Sequence, residues 1–332
     1  MTICVPQLVD LNRLTIDQAS QITPPDPQEL IAGLTGDPKT IPAYYFYDDR
    51  GSLLFEQICQ LPEYYLTRTE AQILRENAET IAQLTQAKQL IELGSGSSKK
   101  TRILLSAFTE INQSFNYVPI DISGGMLYDT AQNLLLEYPT LTVHGIVATY
   151  QVALRKLPDP PAAGSRLFCF LGSSLGNFTA QESHALFQQI TASMNKGDYF
   201  LLGVDCHKDR DILYRAYNDR VQVTAEFNRN ILAHLNDRFV GNFEVDLFSH
   251  QAIYNEQEKQ IEMYLISRQP QMVKLQELGL TLQFQTGELI RTEISRKFVP
   301  QELCQELQRI GLSTIKVFTD PRRWYALVLT QL

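Results

Sequence analysis

No stretch of this 332-residue chain approaches the roughly 18 consecutive apolar residues of a membrane-spanning helix, so no membrane partner is expected. Cysteine is scarce. Cys4, Cys59, Cys169, Cys206 and Cys304 are odd in number, scattered and without C-x-x-C spacing. That argues against a disulfide framework and for a reducing, cytoplasmic setting. Cys206 and His207 are adjacent but have no partners at ligand spacing, so no metal site is expected. Basic charge is in deficit: 29 Lys and Arg face 37 Asp and Glu, for a net charge of -8. No basic patch is evident, and nucleic acid is not an expected partner. The start, Met1-Thr2-Ile3-Cys4-Val5-Pro6, lacks a basic segment followed by an apolar one, so no secretory signal is expected. Internal repeats and low-complexity segments are also missing.

What is present is a chain 44% hydrophobic and 20% charged, as expected of a globular protein with a real core. Its length suits one large domain or two ordinary ones. Up to about residue 42 it reads as irregular and polar, with a turn cluster at Pro24-Pro25-Asp26-Pro27. Two tyrosine clusters follow, Tyr44-Tyr45-Phe46-Tyr47 and Tyr64-Tyr65, readable as contact surface or as core aromatics. Residues 69–84 carry apolar positions at helical spacing. From residue 89 strands and helices alternate: strands at 89–93, 117–121, 141–148, 167–171 and 199–204, with helices at 99–108, 125–138 and from 179 to about 194. The last opens with a capping box, Thr179-Ala180-Gln181-Glu182. Such alternation predicts an α/β fold with a parallel sheet covered on both faces. The rhythm changes near Asp205. Helices at 208–217 and 221–235, then strands at 261–265 and 281–284, predict an inserted α+β section at 206–297. A helix at 300–310, stopped by Gly311, and strands at 314–318 and 325–329 return to the first style.

Two distant motifs carry chemistry. The first is Ile91-Glu92-Leu93-Gly94-Ser95-Gly96-Ser97-Ser98, a strand entering a glycine-rich turn. Glycine there lets backbone N–H groups and a helix N-terminus approach a ligand. A phosphate-binding P-loop needs glycine directly before Lys100-Thr101, where Lys99 stands. The dinucleotide pattern G-x-G-x-x-G also needs glycine at Lys99 and fails. What remains is the acid-x-Gly-x-Gly strand end typical of S-adenosylmethionine-dependent methyltransferases, or a turn with no ligand. Asp121 ends the next strand, where an acid can accept both ribose hydroxyls. A third turn, Leu171-Gly172-Ser173-Ser174-Leu175-Gly176-Asn177, closes the fourth strand, at the edge where ligands of open α/β sheets sit. The second motif is Arg291-Thr292-Glu293-Ile294-Ser295, with an acid and a hydroxyl at i and i+2 on a late strand, hence on one face. They could serve a polar substrate or an exposed ion pair.

Taken together, these segments resemble the histidine-specific Nα-methyltransferase family, whose members make hercynine (trimethylhistidine) for ergothioneine. The resemblance runs from about residue 42 to the C-terminus. It rests on Phe46-Tyr47-Asp48 with Gly51-Ser52 and Leu54-Phe55, on Leu61-Pro62-Glu63-Tyr64-Tyr65 with Thr67-Arg68 and Glu70, and on Glu92-Leu93-Gly94-Ser95-Gly96. Further matches are Leu171-Gly172-Ser173 with Gly176-Asn177, Arg215-Ala216-Tyr217, Phe227-Asn228-Arg229-Asn230, and Thr292-Glu293 with Ser295 and Lys297-Phe298.

The resemblance implies a class I, Rossmann-like methyltransferase domain at 1–205 plus 298–332, with 206–297 inserted as a substrate-binding domain. It implies S-adenosylmethionine as cofactor, held by Gly94, Ser95, Gly96, Lys100, Asp121, Thr149 and Tyr150. Lys100 would pair with the methionine carboxylate. L-histidine and its methylated intermediates would be the substrates of a monomer. Glu293 and Ser295 would meet the imidazole nitrogens, one accepting and one donating. Asn177 and Tyr217 would hold the α-carboxylate, with Thr224 nearby. Tyr47, the catalytic candidate, and the Gly172 backbone would lie at the α-amino group. Tyr64 would close the site and Met263 would pack near the imidazole. The alternatives are an N-methyltransferase for another amino acid such as a tryptophan derivative, an NAD-dependent enzyme, and a non-catalytic S-adenosylmethionine sensor. Glu293 with Ser295 opposes the first, the missing third glycine the second, and a retained substrate pocket the third.

One position departs from the family pattern. Ala148-Thr149-Tyr150 has threonine where the family carries an acid before the aromatic residue, beside the adenine. Tyr150 can still stack on the ring, but Thr149 lacks the acceptor for the adenine amino group. A Thr149→Asp variant is expected to bind S-adenosylmethionine more tightly, as read by titration calorimetry. An unchanged affinity would count against this placement of residues 148–150.

Overall fold

The computed structural model describes residues 10–18 and 27–332. The readings at Met1 to Pro6, including Cys4, and at positions 24–26 lie outside those residues. The first elements are strand β1 (Leu14–Gln18), helix α1 (Pro27–Thr35), the short strand β2 (Lys39–Thr40), and helices α2 (Asp49–Ile58) and α3 (Leu66–Thr85). β1, α1 and β2 replace much of the irregular stretch expected before residue 42. β1 is five residues long, half polar and at a sheet edge, so its periodicity is weak. Then come β3 (Gln89–Leu93), α4 (Thr101–Ile111), β4 (Phe115–Asp121), α5 (Gly124–Glu137), β5 (Leu141–Val147), α6 (Tyr150–Ala153), β6 (Arg166–Phe170), α7 (Ala180–Ser193) and β7 (Tyr199–Asp205). α8 (Arg210–Tyr217), α9 (Val223–Phe239) and strands β8 (Phe248–Asn255), β9 (Gln260–Ser267), β10 (Gln271–Leu275), β11 (Leu280–Phe284) and β12 (Leu289–Arg296) make the middle section. α10 (Pro300–Arg309), β13 (Ser313–Thr319) and β14 (Tyr325–Gln331) end the chain. No helix among the described residues is long and apolar enough to cross a membrane.

Eight strands form one sheet in the order β1-β5-β4-β3-β6-β7-β14-β13. The strands from β1 to β7 in that order run parallel, and β14 and β13 are antiparallel additions. This is the class I methyltransferase type of α/β sheet, with β1 added at one edge. β3 and β6 are buried along their whole length. Their side chains alternate between two apolar clusters: Leu90 joins Leu74, Leu104 and Phe108 on one face, and Ile91 joins Phe187, Ile190 and Leu307 on the other. The chain winds outward from β3 to β5, then crosses back to β6. The crevice between the carboxyl ends of β3 and β6 is therefore a switch point, where open α/β sheets bind ligands. The capping box at Thr179 forms, with the Glu182 amide donating to Thr179 Oγ1 and the Thr179 amide to Glu182 Oε2.

The middle section builds a second sheet, β2-β12-β9-β8, beside the β10–β11 hairpin. It is joined from the N-terminal side, since β2 pairs in parallel with β12 and α2 packs on α9. Between Arg291 and Glu293 the β12–β9 register shifts by a bulge at Thr292, whose hydroxyl donates to Asn228 Oδ1 at 2.6 Å. Bulges re-aim the side chains that follow them, and here they are Glu293 and Ser295.

Tyr47 is held by the turn that starts α2. Asp48 caps that helix by accepting from the Gly51 amide at 2.7 Å, and from Asn230 Nδ2 of α9 at 2.8 Å. A Cβ on Gly51 would lie 1.7 Å from the Phe46 carbonyl oxygen, so the turn closes only around glycine. Gly51→Ala is expected to destabilise the protein by about 1–3 kcal/mol through this clash. Thermal unfolding measures the loss, and an unchanged melting temperature would contradict this account of the turn.

Candidate functional site

A cavity of about 1030 Å³ opens at the carboxyl ends of β3, β4 and β6. Its floor is the glycine-rich turn. Gly94 and Gly96 adopt φ of +73° and +49°, the left-handed region that glycine enters without strain. The Gly94 amide donates to the Ile120 carbonyl at 2.8 Å, stitching β3 to β4 beyond the strand ends. A Cβ at Gly94 would sit 2.8 Å from the Tyr150 hydroxyl, whereas one at Gly96 would meet nothing within 4 Å. Gly94 is needed for close packing, and Gly96 faces open space.

Glu92, the acid of the strand-end motif, works from below. It is buried and accepts hydrogen bonds from the Thr101 and Tyr117 hydroxyls, while Tyr117 also meets Ser98 Oγ at 2.8 Å. Burial pushes its carboxyl up to about 7. Glu92 thus braces both ends of the turn. Asp121 accepts from the Gly96 amide at 2.8 Å with one oxygen and from the Ser123 amide at 2.9 Å with the other. Burial raises its pKa, against the pull of these amides. Each oxygen keeps further lone pairs for a diol. Ser95 Oγ and Gln189 Oε1 are buried at the cavity wall without a partner among the described residues. A buried polar atom left unpaired is costly, so both mark places where a polar ligand belongs. Thr149, Tyr150, Ile122 and Val152 supply an adjoining, mostly apolar wall for a flat ring. This donor set fits S-adenosylmethionine.

Lys100 lines the cavity, but its ammonium forms an ion pair with Glu70, so the methionine carboxylate would have to share it. Glu70 is fully buried and also accepts from the Gly172 amide at 2.8 Å and from the Tyr325 hydroxyl at 2.7 Å. The N–H of the Gly172 backbone, a segment expected at the substrate amine, is therefore occupied by Glu70. Gly172 and Ser173 take φ of +80° and +59°, and a 3-10 turn at Ser174–Asn177 follows. That turn reaches β12 because Gly176 has no Cβ, which would lie 3.0 Å from the Arg296 carbonyl.

A small recess leads off the main cavity. It gathers Tyr47, Tyr64, Gly172, Asn177, Tyr217, Glu293 and Ser295. Phe55 sets edge-to-face against both Tyr47 and Tyr64, and Tyr64 against Tyr217. Tyr47 keeps 37% of its surface accessible, the share that faces the cavity. Burial, then Glu293, holds its phenol well above the ordinary range, so it stays protonated. The Tyr217 and Ser295 hydroxyls, expected at the carboxylate and at the imidazole, bond each other at 2.8 Å. Two expected residues do not reach the wall. Met263 is buried on β9 beside Glu293, and Thr224 is buried at the start of α9 with its hydroxyl unpaired among the described residues. Sequence reasoning gave no role to Glu70 or Lys297, although both lay inside quoted motifs. What singles them out is complete burial of a charge, which spacing does not encode.

Glu293 has no hydrogen-bond partner among the described residues, and burial pushes its carboxyl up to about 7 despite nearby Lys297.

A model of histidine-specific, SAM-dependent methyltransferases matches residues 26–332. The histidine N-alpha-methyltransferase of Mycolicibacterium smegmatis is 40% identical over 318 residues, 96% of this chain and 97% of its own. The enzyme of that name from Mycobacterium tuberculosis is 41% identical over 293 residues, 88% and 90% of the two chains. The ergothioneine biosynthesis protein 1 of Neurospora crassa is 34% identical over 202 residues, 60% of this chain and 23% of its own.

The state of Glu293 has a consequence for stability. Its folded pKa lies above the unfolded one, so the contribution it makes at low pH is lost as pH rises from the usual carboxylate range through about 7. Glu293→Gln removes that loss. Without ligand, the variant is expected to melt higher than the parent above neutral pH and close to it in mild acid. Equal melting temperatures at every pH would show that the carboxylate is not held in this state.

Proposed function

The chain belongs to the histidine-specific, SAM-dependent methyltransferase family, and from that premise we propose that it adds three methyl groups to the α-amine of L-histidine, a step of ergothioneine biosynthesis. The observation that carries the substrate is the unpaired carboxylate of Glu293 beside the Ser295 hydroxyl in one recess. An imidazole offers a donor and an acceptor on one ring, which that pair matches. An indole has no second ring nitrogen and would leave Ser295 unmet, which disfavours a tryptophan derivative.

Bound at the glycine-rich turn, S-adenosylmethionine supplies an electrophilic methyl group on a sulfonium. Ser95, Gly96 and Asp121 would hold it from below, Lys100 at its carboxylate, and Thr149 and Tyr150 at its ring. In the recess, Asn177 is the best-placed group for the α-carboxylate, because its side-chain amide makes no other hydrogen bond among the described residues. Tyr47 would accept a hydrogen bond from the amine and aim the lone pair. The amine must lose a proton first, and its pKa near 8 leaves a modest neutral fraction without a strong base. With each transfer a C–N bond forms, the C–S bond breaks with its electron pair going to sulfur, and the amine proton goes to water. Orientation supplies most of the rate. Tyr47 and Tyr64 present ring faces and hydroxyls to the growing cation. Thr224 and Met263 would act by packing behind this surface.

Tyr217, Glu293 and Ser295 come from residues 206–297, which supports assigning that section to substrate binding. The cysteine pattern supports a cytoplasmic setting.

Mass spectrometry after incubation with S-adenosylmethionine and the twenty amino acids tests the reading. Trimethylated histidine is the expected product, and methylation of a different amino acid would overturn the imidazole assignment. Glu293→Gln is expected to lower kcat/KM for histidine about 10- to 100-fold, as for loss of a hydrogen bond to a charged group.

A further inference from the structure

The cofactor end of the cavity lacks one group. Thr149 stands where an acid would accept from the adenine amino group, and it caps α6 without a side-chain bond to the helix. Across the cavity from α6 runs α7. Its residues Glu182, Ala185, Leu186 and Gln189 recur at three and four positions, so they share the helix face turned to the cavity. Glu182 is committed to the capping box at Thr179. Ala185 and Leu186 are apolar. Gln189 Oε1 is the buried acceptor on that face with no partner among the described residues. Gln151 lines the cavity too, but it is exposed, and water can meet its amide.

The backbone beneath Gln189 is fixed against α6. The Ser193 hydroxyl, one turn on, lies 2.9 Å from the Leu154 carbonyl at the end of α6 and 2.9 Å from the Gln189 carbonyl. The turn bearing Asn177 precedes α7, and at 1.5 Å per residue Gln189 lies about 14 Å beyond the first residue of that helix. Gln189 is thus far from the substrate recess and close to the wall that Thr149 and Val152 build.

A ribose held at Asp121 would place its base on this wall. Adenine is apolar on its faces and polar at its edge. The faces suit Ile122 and Val152. The edge needs an acceptor for the 6-amino group and a donor for the neighbouring ring nitrogen. A carboxamide carries both in one plane, as when glutamine pairs with adenine in two hydrogen bonds. The last torsion of a glutamine is broad, so the amide can turn to meet a ligand.

We propose that Gln189 reads the adenine edge of the cofactor, its Oε1 accepting from the 6-amino group in place of the acid absent at Thr149. A base with that amino group relieves a buried acceptor that is unpaired in the free protein. A base without it leaves the cost standing. The assignment rests on the ribose lying at Asp121, and not on which amino acid is methylated.

The experiment is calorimetric binding of two ligands to the full chain, with and without L-histidine in the cell. One is S-adenosylhomocysteine, and the other is its analogue with unsubstituted purine in place of adenine. The parent protein is expected to prefer adenine about 5- to 30-fold, the worth of one buried acceptor left unpaired. Gln189→Met keeps the length of the side chain and removes its amide. In that variant the ratio should fall to near one, through loss of affinity for the adenine ligand. Gln151→Met removes an exposed amide and should keep the ratio. Thermal unfolding separates this reading from a structural role. Without ligand, Gln189→Met should melt no lower than the parent, because it deletes an acceptor that has no partner. A lower melting temperature would mean that Oε1 serves the fold, and would overturn the proposal. A ratio near one in the parent protein overturns it as well, and so does the parent's ratio persisting in Gln189→Met. Asp121→Asn should weaken both ligands alike. If it leaves both affinities unchanged, the ribose lies elsewhere and the proposal falls with that placement.

Discussion

One buried carboxylate holds the two halves of this site together. Glu70, on the first turns of α3, receives Lys100 from the end of the cofactor loop, the Gly172 amide from the turn after β6, and the Tyr325 hydroxyl from β14. These three segments are far apart in sequence, and the carboxylate that joins them is itself shielded from solvent. Gly203 on β7 must lack a side chain to admit it, because a Cβ there would lie 2.2 Å from Glu70 Oε1. Removing one partner of such a buried pair costs about 3–5 kcal/mol, because the other charge is left uncompensated. The distance between the cofactor turn and the turn bearing Asn177 is therefore fixed before any ligand arrives. For a transfer between two bound molecules that is the main requirement, since the rate depends on how well they are held in line.

Much of the fold was legible because it rests on local pattern. The alternating strands and helices from 89 to 205 carry their own periodicity and caps, as at Thr179 and Glu182, and their ends moved by only a few residues. β1 and β2 were not legible. They are short edge elements whose existence depends on β5 and β12, distant in sequence. In the site, Gly94, Gly96, Asp121, Glu293 and Ser295 could be read from strand ends and from the two-residue alternation of strands. The bulge at Thr292 could not be read. The contacts of Lys100 and Gly172 with Glu70 and of Tyr217 with Ser295 could not be read, because a sequence does not show which polar atoms have already found partners in the protein.

The site also shows how polar groups are divided between holding and waiting. Glu92, Glu70 and Asp205 are saturated with hydrogen bonds and serve as braces. Glu293, Ser95 and Asn177 face the cavity with bonding capacity unspent. Burying a carboxylate without a partner carries a desolvation cost, visible at Glu293 as a carboxyl pushed up to about 7. The same cost is a source of selectivity. A ligand that donates to Glu293 relieves it, and one that cannot leaves it in place. Instability of the free protein and discrimination in the complex are thus two readings of one unpaired group.

Charge balance points the same way. Behind the recess Asp205 carries one negative charge, and its partners Lys208 and Lys297 carry two positive ones. The surplus cation sits behind Tyr217 and Ser295, at the closed end of the recess. Glu293, which lies in the same recess and feels Lys297, supplies the balancing anion when it ionises, and in a low-dielectric setting that attraction is weakly screened. The unpaired carboxylate and the buried lysine behind it are therefore two parts of one charge balance.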